Sequence, residues 1–368
     1  RRLSRLMEEG FPVAQRDPYL NFPEGSAILW PPYYTIALWM ALAPFAPEDT
    51  AARRVYLEEG VASMPMLFGA ATSLLALVGG WLLAGPSAGL FAGLYHAVTL
   101  GSIIYSRAGN GDHHAWVSFL NSAILLITAM GFRRGVLERC RPSAIRGAVA
   151  GAIAGVLLGS WVASFLYISL FQLALGLVLV WNAARPRKGL AAFGLTYHLS
   201  ALAVMLPALL ASPWKERFPW MVVNLSWFHL LHLALGALVF VPLFFLASGT
   251  RVFRLYPWIV TAILVLVALI FARLDVGPAA GIREGFAWMS AQDQFVSQVG
   301  ESVPLIGALV EFPTVLFQHL GIGAALLPLG MLAAAIVAWR ARDEALALWV
   351  VAVAGLTVQA LAQRRFTD

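Results

Sequence analysis

Tyr105-Ser-Arg-Ala-Gly-Asn-Gly-Asp-His-His-Ala115 joins two apolar runs, residues 87–105 and 115–132, each long enough to cross a bilayer as a helix. The junction brings a cation, a carboxylate and two imidazoles together within eight residues. Its two glycines allow a sharp turn, which lets Asp112 and His114 face a common point. Such a group suits a divalent cation or a proton-handling site. The alternative is an ordinary polar loop in which Asp112 is the N-cap of the helix that follows.

The composition of the chain is that of a polytopic membrane protein. Of its 368 residues, 60% are hydrophobic and 12% are charged, and the mean hydropathy is +0.77. The single cysteine, Cys140, excludes an intramolecular disulfide and a zinc site of the cysteine type. The net charge of +6 does not indicate a nucleic-acid partner, because basic residues in membrane proteins mostly set orientation.

We predict an all-α fold, a polytopic bundle of about ten transmembrane helices, because only helices and closed barrels satisfy the backbone in lipid. Residues 1–61 are predicted to form a first external loop with a short interfacial helix. Residues 62–368 are predicted to form the bundle, with a second long external loop at 274–311. The predicted spans are residues 62–83, 87–105, 115–132, 147–164, 165–183, 190–212, 227–248, 256–273, 312–338 and 344–362. Glycines 151, 155 and 159, spaced by four, predict a small-residue packing face.

Short basic loops give the predicted orientation. Lysine and arginine cluster in four of them, at residues 133–146, 185–188, 251–254 and 340–342. With ten spans these loops share one side, which the positive-inside rule makes cytoplasmic. The Tyr105–Ala115 stretch, the 274–311 loop and the C-terminal arginines are therefore predicted to lie on the external face.

Two further groups are candidates for chemistry on that external face. Glu301, in the long loop, would add a second carboxylate to Asp112, and two hard oxygen ligands with water suit Mg²⁺ or Mn²⁺. Alternatively, Glu301 is one of several solvated loop acids. Arg364 and Arg365 end the last span, where arginine suits a phosphate group at headgroup depth. The alternative for this pair is a snorkelling interfacial anchor.

Four short motifs, in this order, resemble those of the catalytic subunit of oligosaccharyltransferase in its single-subunit prokaryotic form. They are Arg1-Arg2 with Asp17-Pro-Tyr-Leu-Asn-Phe-Pro-Glu-Gly25 and Trp30-Pro-Pro-Tyr33, then Asp112-His113-His114, Val299-Gly-Glu301 and Arg365-Phe-Thr367. The resemblance implies a GT-C-like transmembrane bundle. In the family a metal-binding aspartate precedes the basic pair, and a soluble domain follows the bundle. We expect both to be absent from residues 1–368.

The resemblance also assigns roles to residues of the two later loops. Asp112 and Glu301 would be metal ligands and catalytic groups. His114 would be a third ligand or a group that holds one in place. Arg107 resembles a family arginine that precedes the acidic motif, at a spacing shorter than usual, and is the third catalytic candidate.

The same resemblance marks residues near the two ends of the chain. Arg365, with Arg364, would bind the phosphate of a lipid-linked donor. Arg1, Arg2 and Asp17 are further candidates from the first loop.

Residues and resemblance together predict a metal-dependent membrane glycosyltransferase. It would move a glycan from a polyprenyl-(pyro)phosphate donor to asparagine of exported polypeptides, with Mn²⁺ or Mg²⁺ as cofactor. Its partners would be the lipid-linked oligosaccharide, the acceptor polypeptide and the bilayer, and no nucleic acid. We expect a prokaryotic plasma (inner) membrane location, with the active site on the external or periplasmic face. One alternative keeps the fold but uses a lipid, polysaccharide or Ser/Thr acceptor. A transporter is less favoured, because charges inside the predicted spans are scarce.

Overall fold

The structure is a computed structural model that describes residues 1–132, 137–181, 188–245, 251–271, 273–274, 277–289, 321 and 323–362. Its first helices are α1 (Arg2–Glu9), α2 (Tyr33–Leu42), α3 (Thr50–Ala84), α4 (Pro86–Val98), α5 (Leu100–Ser106) and α6 (His114–Gly131). The later ones are α7 (Cys140–Leu158), α8 (Ser164–Trp181), α9 (Lys188–Ala211), α10 (Trp214–Arg217), α11 (Trp227–Phe245), α12 (Arg251–Phe271), α13 (Gly277–Met289), α14 (Gly323–Ala341) and α15 (Glu344–Ala362). A 3-10 turn, Ala43–Phe45, follows α2, and the short strands β1 (Arg16–Asp17) and β2 (Ser26–Ala27) pair antiparallel. The predicted all-α class is confirmed.

Several helices are long and apolar enough to cross a membrane. Among the described residues five qualify singly, α3, α6, α8, α9 and α11, and the bent pair α4 and α5 would be a sixth span. Helices α7, α12, α14 and α15 overlap the four other predicted spans. Helix α7 ends at Leu158, six residues before the end predicted for its span, and residues 312–320 of the span predicted at 312–338 lie outside the part of the chain that the structure describes. The chain is an integral membrane protein.

Two elements differ from the spans predicted at 62–83 and 87–105. Helix α3 begins at Thr50, because the Asp49 carboxylate caps it by accepting a hydrogen bond from the Ala52 amide at 2.7 Å. Its 35 residues extend over roughly 50 Å, longer than a hydrocarbon core of about 30 Å. The second run is broken, since Thr99 adopts an extended backbone and α4 and α5 meet at 58°.

The interface of α7 and α9 lies at the centre of the bundle. A Cβ atom on Gly151 would lie 2.0 Å from the carbonyl oxygen of Tyr197, so only glycine permits this approach of the two backbones. Gly155 packs in the same way on the Ala201 carbonyl, whereas Gly159 faces the ring of Tyr33. The small-residue face of α7 therefore packs against α9 along the middle of α7, and against Tyr33 of the first loop at the C-terminal end of α7.

The first loop packs as a small cluster against the start of α3. Its core is Leu3 of α1, Leu38 and Leu42 of α2, and Leu57 of α3. Tyr33 ties this cluster to the bundle, because its amide donates to the Gly159 carbonyl at 2.8 Å and its hydroxyl donates to the Val204 carbonyl. The predicted division at residue 61 falls inside α3, so the first loop and the bundle are joined by one continuous helix.

The second long loop, predicted at 274–311, contains helix α13. Gly281 of α13 lies against the carbonyl of Trp220, which packs the helix on the segment before α11. Residues 290–311 lie outside the part of the chain that the structure describes.

Candidate metal centre

The turn between α5 and α6 holds the predicted cation site. Gly109 has a φ of +85°, a conformation that favours glycine, and its amide donates to the Ala62 carbonyl of α3 at 2.9 Å. The Asn110 side-chain amide donates back to the Ile104 carbonyl at 3.1 Å. These bonds fasten the turn to α3 and α5 and present Asp112 at the start of α6.

Asp112 and the two histidines that follow it form a compact group of ligand atoms. Nδ1 of His113 lies 2.5 Å from Oδ1 of Asp112, and Nε2 of His114 lies 3.6 Å from Oδ2. One ligand atom from each of the three residues lies within 4.8 Å of the others. One carboxylate and two imidazoles within this distance can converge on a single transition-metal ion.

The alternative role of Asp112 as a helix N-cap does not hold in this structure. Helix α6 begins at His114, and its N-cap is His113. The Asp112 carboxylate instead accepts the His113 amide hydrogen at 2.7 Å. Asp112 therefore orients His113, and no side chain in the described ranges caps the N-terminus of α6.

The ionisation of Asp112 is controlled by its two histidine neighbours. Burial alone would raise the pKa of this carboxyl group. The hydrogen bond from His113 and the charges of His113 and His114 outweigh burial and hold the pKa of Asp112 well below its usual range. The Asp112 side chain is 44% exposed, whereas the side chains of His113 and His114 are 10% and 5% exposed. An ionised carboxylate is thus presented to solvent from a base of buried imidazoles.

Aromatic side chains fix the two imidazoles in place. Trp161, in the turn between α7 and α8, lies against both, with ring centroids 5.2 Å from His113 and 5.6 Å from His114. The Tyr105 ring of α5 packs on His114 at 4.7 Å. Trp161 also lines an apolar cavity of about 370 Å³, whose wall includes Trp30, Pro31, Phe165, Val222 and Ile282. The metal-ligand group and the apolar cavity share this one indole ring.

Tyr34 holds the loop from the side of the first external loop. Its hydroxyl lies 3.2 Å from the carbonyl oxygen of Asp112 and 3.4 Å from that of Gly111, to which it can donate. Burial and the charge of Asp112 both raise the pKa of Tyr34, so the hydroxyl keeps its proton. Neither Tyr34, Trp161 nor His113 as a ligand was part of the sequence prediction.

The first-loop candidates line a second cleft, beside the turn that holds Asp112. Arg1, Arg2 and Asp17 line it, its volume is about 1360 Å³, and it extends to Gly109 and Gly111 of the turn. Arg1 lies over the ring of Tyr19, with 5.1 Å from Cζ to the ring centroid. Asp17 accepts the Tyr19 amide hydrogen at 2.9 Å.

Arg2 has a structural role in the first loop. Its guanidinium donates to the carbonyls of Ala14, Trp30 and Pro31 and to the Gln15 side chain, at 2.8–3.3 Å. Burial lowers its pKa to about 10, so it remains charged at neutral pH. These bonds tie α1 to the chain that enters α2.

The other predicted site residues are not brought to Asp112 by the described structure. Arg107 caps the end of α5; its side chain is exposed and forms no ion pair with another residue in the described ranges. Glu301, Arg364 and Arg365 lie outside the residues that the structure describes, and their roles remain predictions.

We compared the chain with known protein families, protein sequences and solved structures. No protein-family model matches the chain, and no curated protein sequence matches it. Several solved structures match the chain. The archaeal oligosaccharyltransferase of Archaeoglobus fulgidus, in complex with an inhibitory peptide and a dolichol-phosphate, matches with a TM-score of 0.80 at 18% identity, over 100% of this chain and 43% of that one. The chain shares the fold of part of an oligosaccharyltransferase.

Two further structures of the Archaeoglobus fulgidus enzyme agree with this fold. One, tethered to an acceptor peptide containing the NVT sequon, matches with a TM-score of 0.74 at 18% identity over 99% of this chain and 42% of that one. The other, a complex with Zn and sulfate, matches with a TM-score of 0.70 at 17% identity over the same shares. The chain spans less than half the length of these enzymes, and the fold predicted from the four motifs is confirmed.

Proposed function

We propose that the chain is part of a membrane glycosyltransferase that moves a glycan from a polyprenyl-(pyro)phosphate donor to the side-chain amide of asparagine in exported polypeptides. The observation that carries the proposal is the group of Asp112, His113 and His114 at the end of an apolar bundle with the oligosaccharyltransferase fold. A donor with a lipid carrier and a polar headgroup needs a site where the bundle meets water.

The ligand group supports a divalent cation as cofactor. Two imidazoles and one carboxylate suit Mn²⁺ or Zn²⁺ better than Mg²⁺, which prefers oxygen ligands. A cation held there would stabilise the negative charge that develops on the departing phosphate. Of the two metals predicted from the sequence, the donor set favours Mn²⁺. Glu301, from the second long loop, is proposed as a further oxygen ligand.

The chemical step makes a demand that Asp112 can meet. In the transfer the amide nitrogen bonds to the anomeric carbon of the sugar, and the bond from that carbon to the phosphate oxygen breaks with its electrons remaining on the departing phosphate. The proton lost from the nitrogen passes to water. An amide nitrogen is a poor nucleophile, so a carboxylate that accepts a hydrogen bond from its N–H group would assist the attack. Asp112 is ionised and half-exposed, which suits it to this contact as well as to a cation.

The donor's two chemical parts have matching surroundings. The apolar cavity beside Trp161 suits the first units of a polyprenyl chain, because its wall is formed mainly by aliphatic and aromatic side chains. Arg364 and Arg365, predicted at headgroup depth, are proposed to hold the phosphate. One of the matching Archaeoglobus fulgidus structures contains a dolichol-phosphate, and another an acceptor peptide, which favours the same two partners here. The proposed location is a prokaryotic plasma membrane, with this site on the external face.

The proposal is tested on the full-length protein with a synthetic polyprenyl-linked sugar and Mn²⁺. An Asn-x-Thr peptide and the same peptide with glutamine for asparagine are compared by mass spectrometry. We expect the mass of one glycan on the asparagine peptide alone. Consumption of the donor without any peptide product would favour a lipid, polysaccharide or Ser/Thr acceptor instead, and an unconsumed donor would contradict the proposal.

A further inference from the structure

Three side chains meet where α8, α14 and α15 come together. Trp181 is the last residue of α8, Trp339 lies near the end of α14, and Arg342 is in the turn that joins α14 to α15. The two indole rings are parallel within 4°, with centroids 6.2 Å apart. The guanidinium carbon of Arg342 lies 5.8 Å from the Trp181 ring and 5.6 Å from the Trp339 ring. We call Trp181, Trp339 and Arg342 the tryptophan–arginine cluster.

The backbone of Arg342 is in a conformation that disfavours arginine. Its φ is +52°, in the left-handed region, and the amide of Asp343 donates to the Ala338 carbonyl at 3.0 Å, which closes the end of α14. Helix ends of this form usually place glycine at the left-handed position, because a Cβ atom is strained there. Strained backbone positions of this kind cluster at functional sites.

The Arg342 guanidinium is available to an anion. The residue is exposed and forms no ion pair with a carboxylate in the described part of the chain. On the same turn, the Asp343 carboxylate caps α15 by accepting from the Leu346 amide at 3.0 Å, and Glu344 is buried. A guanidinium that lies over aromatic rings keeps the N–H donors in its own plane free for phosphate oxygens.

The surroundings of the cluster are those of a membrane surface. Trp339 is 67% exposed at the end of an apolar helix whose outer face exposes Leu329, Leu332 and Val337. Exposed tryptophan at such a position is typical of the headgroup layer. The cluster lies at the opposite end of α8 from Trp161, about 25 Å along the helix. The basic loops predict that this end is cytoplasmic, where anionic lipids are concentrated.

We propose that the tryptophan–arginine cluster is a binding site for the phosphate headgroup of an anionic phospholipid in the leaflet opposite the metal centre. The two indoles hold the guanidinium at headgroup depth, and the guanidinium binds the phosphate. The proposal does not depend on the chemistry at Asp112.

The test is a lipid titration of the full-length protein in detergent, followed by native mass spectrometry. Phosphatidylglycerol and phosphatidylcholine are compared for the wild type, Arg342→Gln and the matched control Arg340→Gln. Arg340 is exposed on the same helix end and lies over no aromatic ring within the described residues. We expect Arg342→Gln to weaken phosphatidylglycerol binding about fivefold, equivalent to about 1 kcal/mol. Arg340→Gln should change it less than about twofold. Arg342→Gln should weaken phosphatidylcholine binding less than phosphatidylglycerol binding, because the choline ammonium group offsets the charge of the phosphate.

A second variant separates lipid binding from a purely structural clamp. Arg342→Gly removes the side chain and relieves the left-handed backbone, so we expect an unchanged or raised melting temperature in lipid-free detergent together with weakened phosphatidylglycerol binding. Equal losses in Arg342→Gln and Arg340→Gln would overturn the proposal, because any surface charge would then suffice. Unchanged phosphatidylglycerol binding in Arg342→Gln and Arg342→Gly would also overturn it.

Discussion

Replacing Gly151 with alanine is expected to force α7 and α9 apart. The new Cβ atom would lie 2.0 Å from the carbonyl oxygen of Tyr197 and 2.8 Å from its Cα atom. An ordinary carbon–oxygen contact is about 3.3–3.6 Å, so the two helices would have to separate by more than about 1 Å. Both contacted atoms belong to the backbone, so no change of rotamer can relieve the clash.

The change in unfolding free energy caused by Gly151→Ala has two contributions, which a control variant separates. Overpacking a close-packed interior costs about 1–3 kcal/mol, whereas alanine is favoured over glycine inside a helix by about 0.5–1 kcal/mol. Gly176 of α8 has nothing within 4 Å of its Cβ position, so Gly176→Ala carries only the second, favourable part. The difference in unfolding free energy between the two variants is therefore the clash itself, about 1–3 kcal/mol.

The assay is thermal unfolding of the full-length variants in the same detergent. Gly151→Ala should melt below Gly176→Ala by about 1 °C for each kcal/mol of clash in a chain of this size, and Gly176→Ala should melt at or above the wild type. Equal melting temperatures for the two variants would refute the packing argument, because the interface would then have room for a methyl group.

Three further predictions concern the metal centre and the first loop. Tyr34→Phe removes the hydroxyl that can donate to the Asp112 carbonyl and should weaken Mn²⁺ binding about tenfold, as measured by electron paramagnetic resonance. Tyr56→Phe is the control, because Tyr56 packs in the same first-loop cluster, and it should bind Mn²⁺ as the wild type does. His113→Ala should weaken Mn²⁺ binding by at least about tenfold, and wild-type affinity would exclude His113 from the ligand group. In Arg2→Lys the lysine cannot replace all four hydrogen bonds of Arg2, so the first loop should lose about 1.5–3 kcal/mol of stability. We expect faster proteolysis at residues 10–31, and an unchanged cleavage rate would contradict the structural role of Arg2.

Hydropathy located the helices because lipid demands both apolar side chains and satisfied backbone groups. It could not locate where helices begin beyond the apolar core. Helix α3 starts at Thr50 since Asp49 caps a polar turn that continues the same helix, and hydropathy averages miss a cap. Hydropathy did not predict the break at Thr99 either. The residues on both sides of it are apolar, and the bend depends on the backbone conformation of one residue.

The candidate site was predicted in part, and the missed part has a physical cause. Asp112 and His114 were assigned from the motif, yet His113 lies nearer to the Asp112 carboxylate, at 2.5 Å against 3.6 Å. The local signal for this was present, because an aspartate often accepts a hydrogen bond from an amide just after it. Trp161 and Tyr34 reach the site only through tertiary packing, and no local pattern marks them.

The central claim is that the Asp112 group holds a divalent cation that glycosyl transfer requires. The most direct measurement is the rate of sugar transfer to an Asn-x-Thr peptide by the full-length protein, after chelation and again after addition of Mn²⁺. Asp112→Asn is compared with Asp49→Asn, which makes the same chemical change at a helix cap where asparagine serves equally well.

We predict that chelation stops transfer in the wild type and in Asp49→Asn, and that Mn²⁺ restores it in both. Asp112→Asn should show no transfer at any Mn²⁺ concentration that restores the others. Transfer at the wild-type rate in Asp112→Asn, or transfer that persists after chelation, would contradict the account.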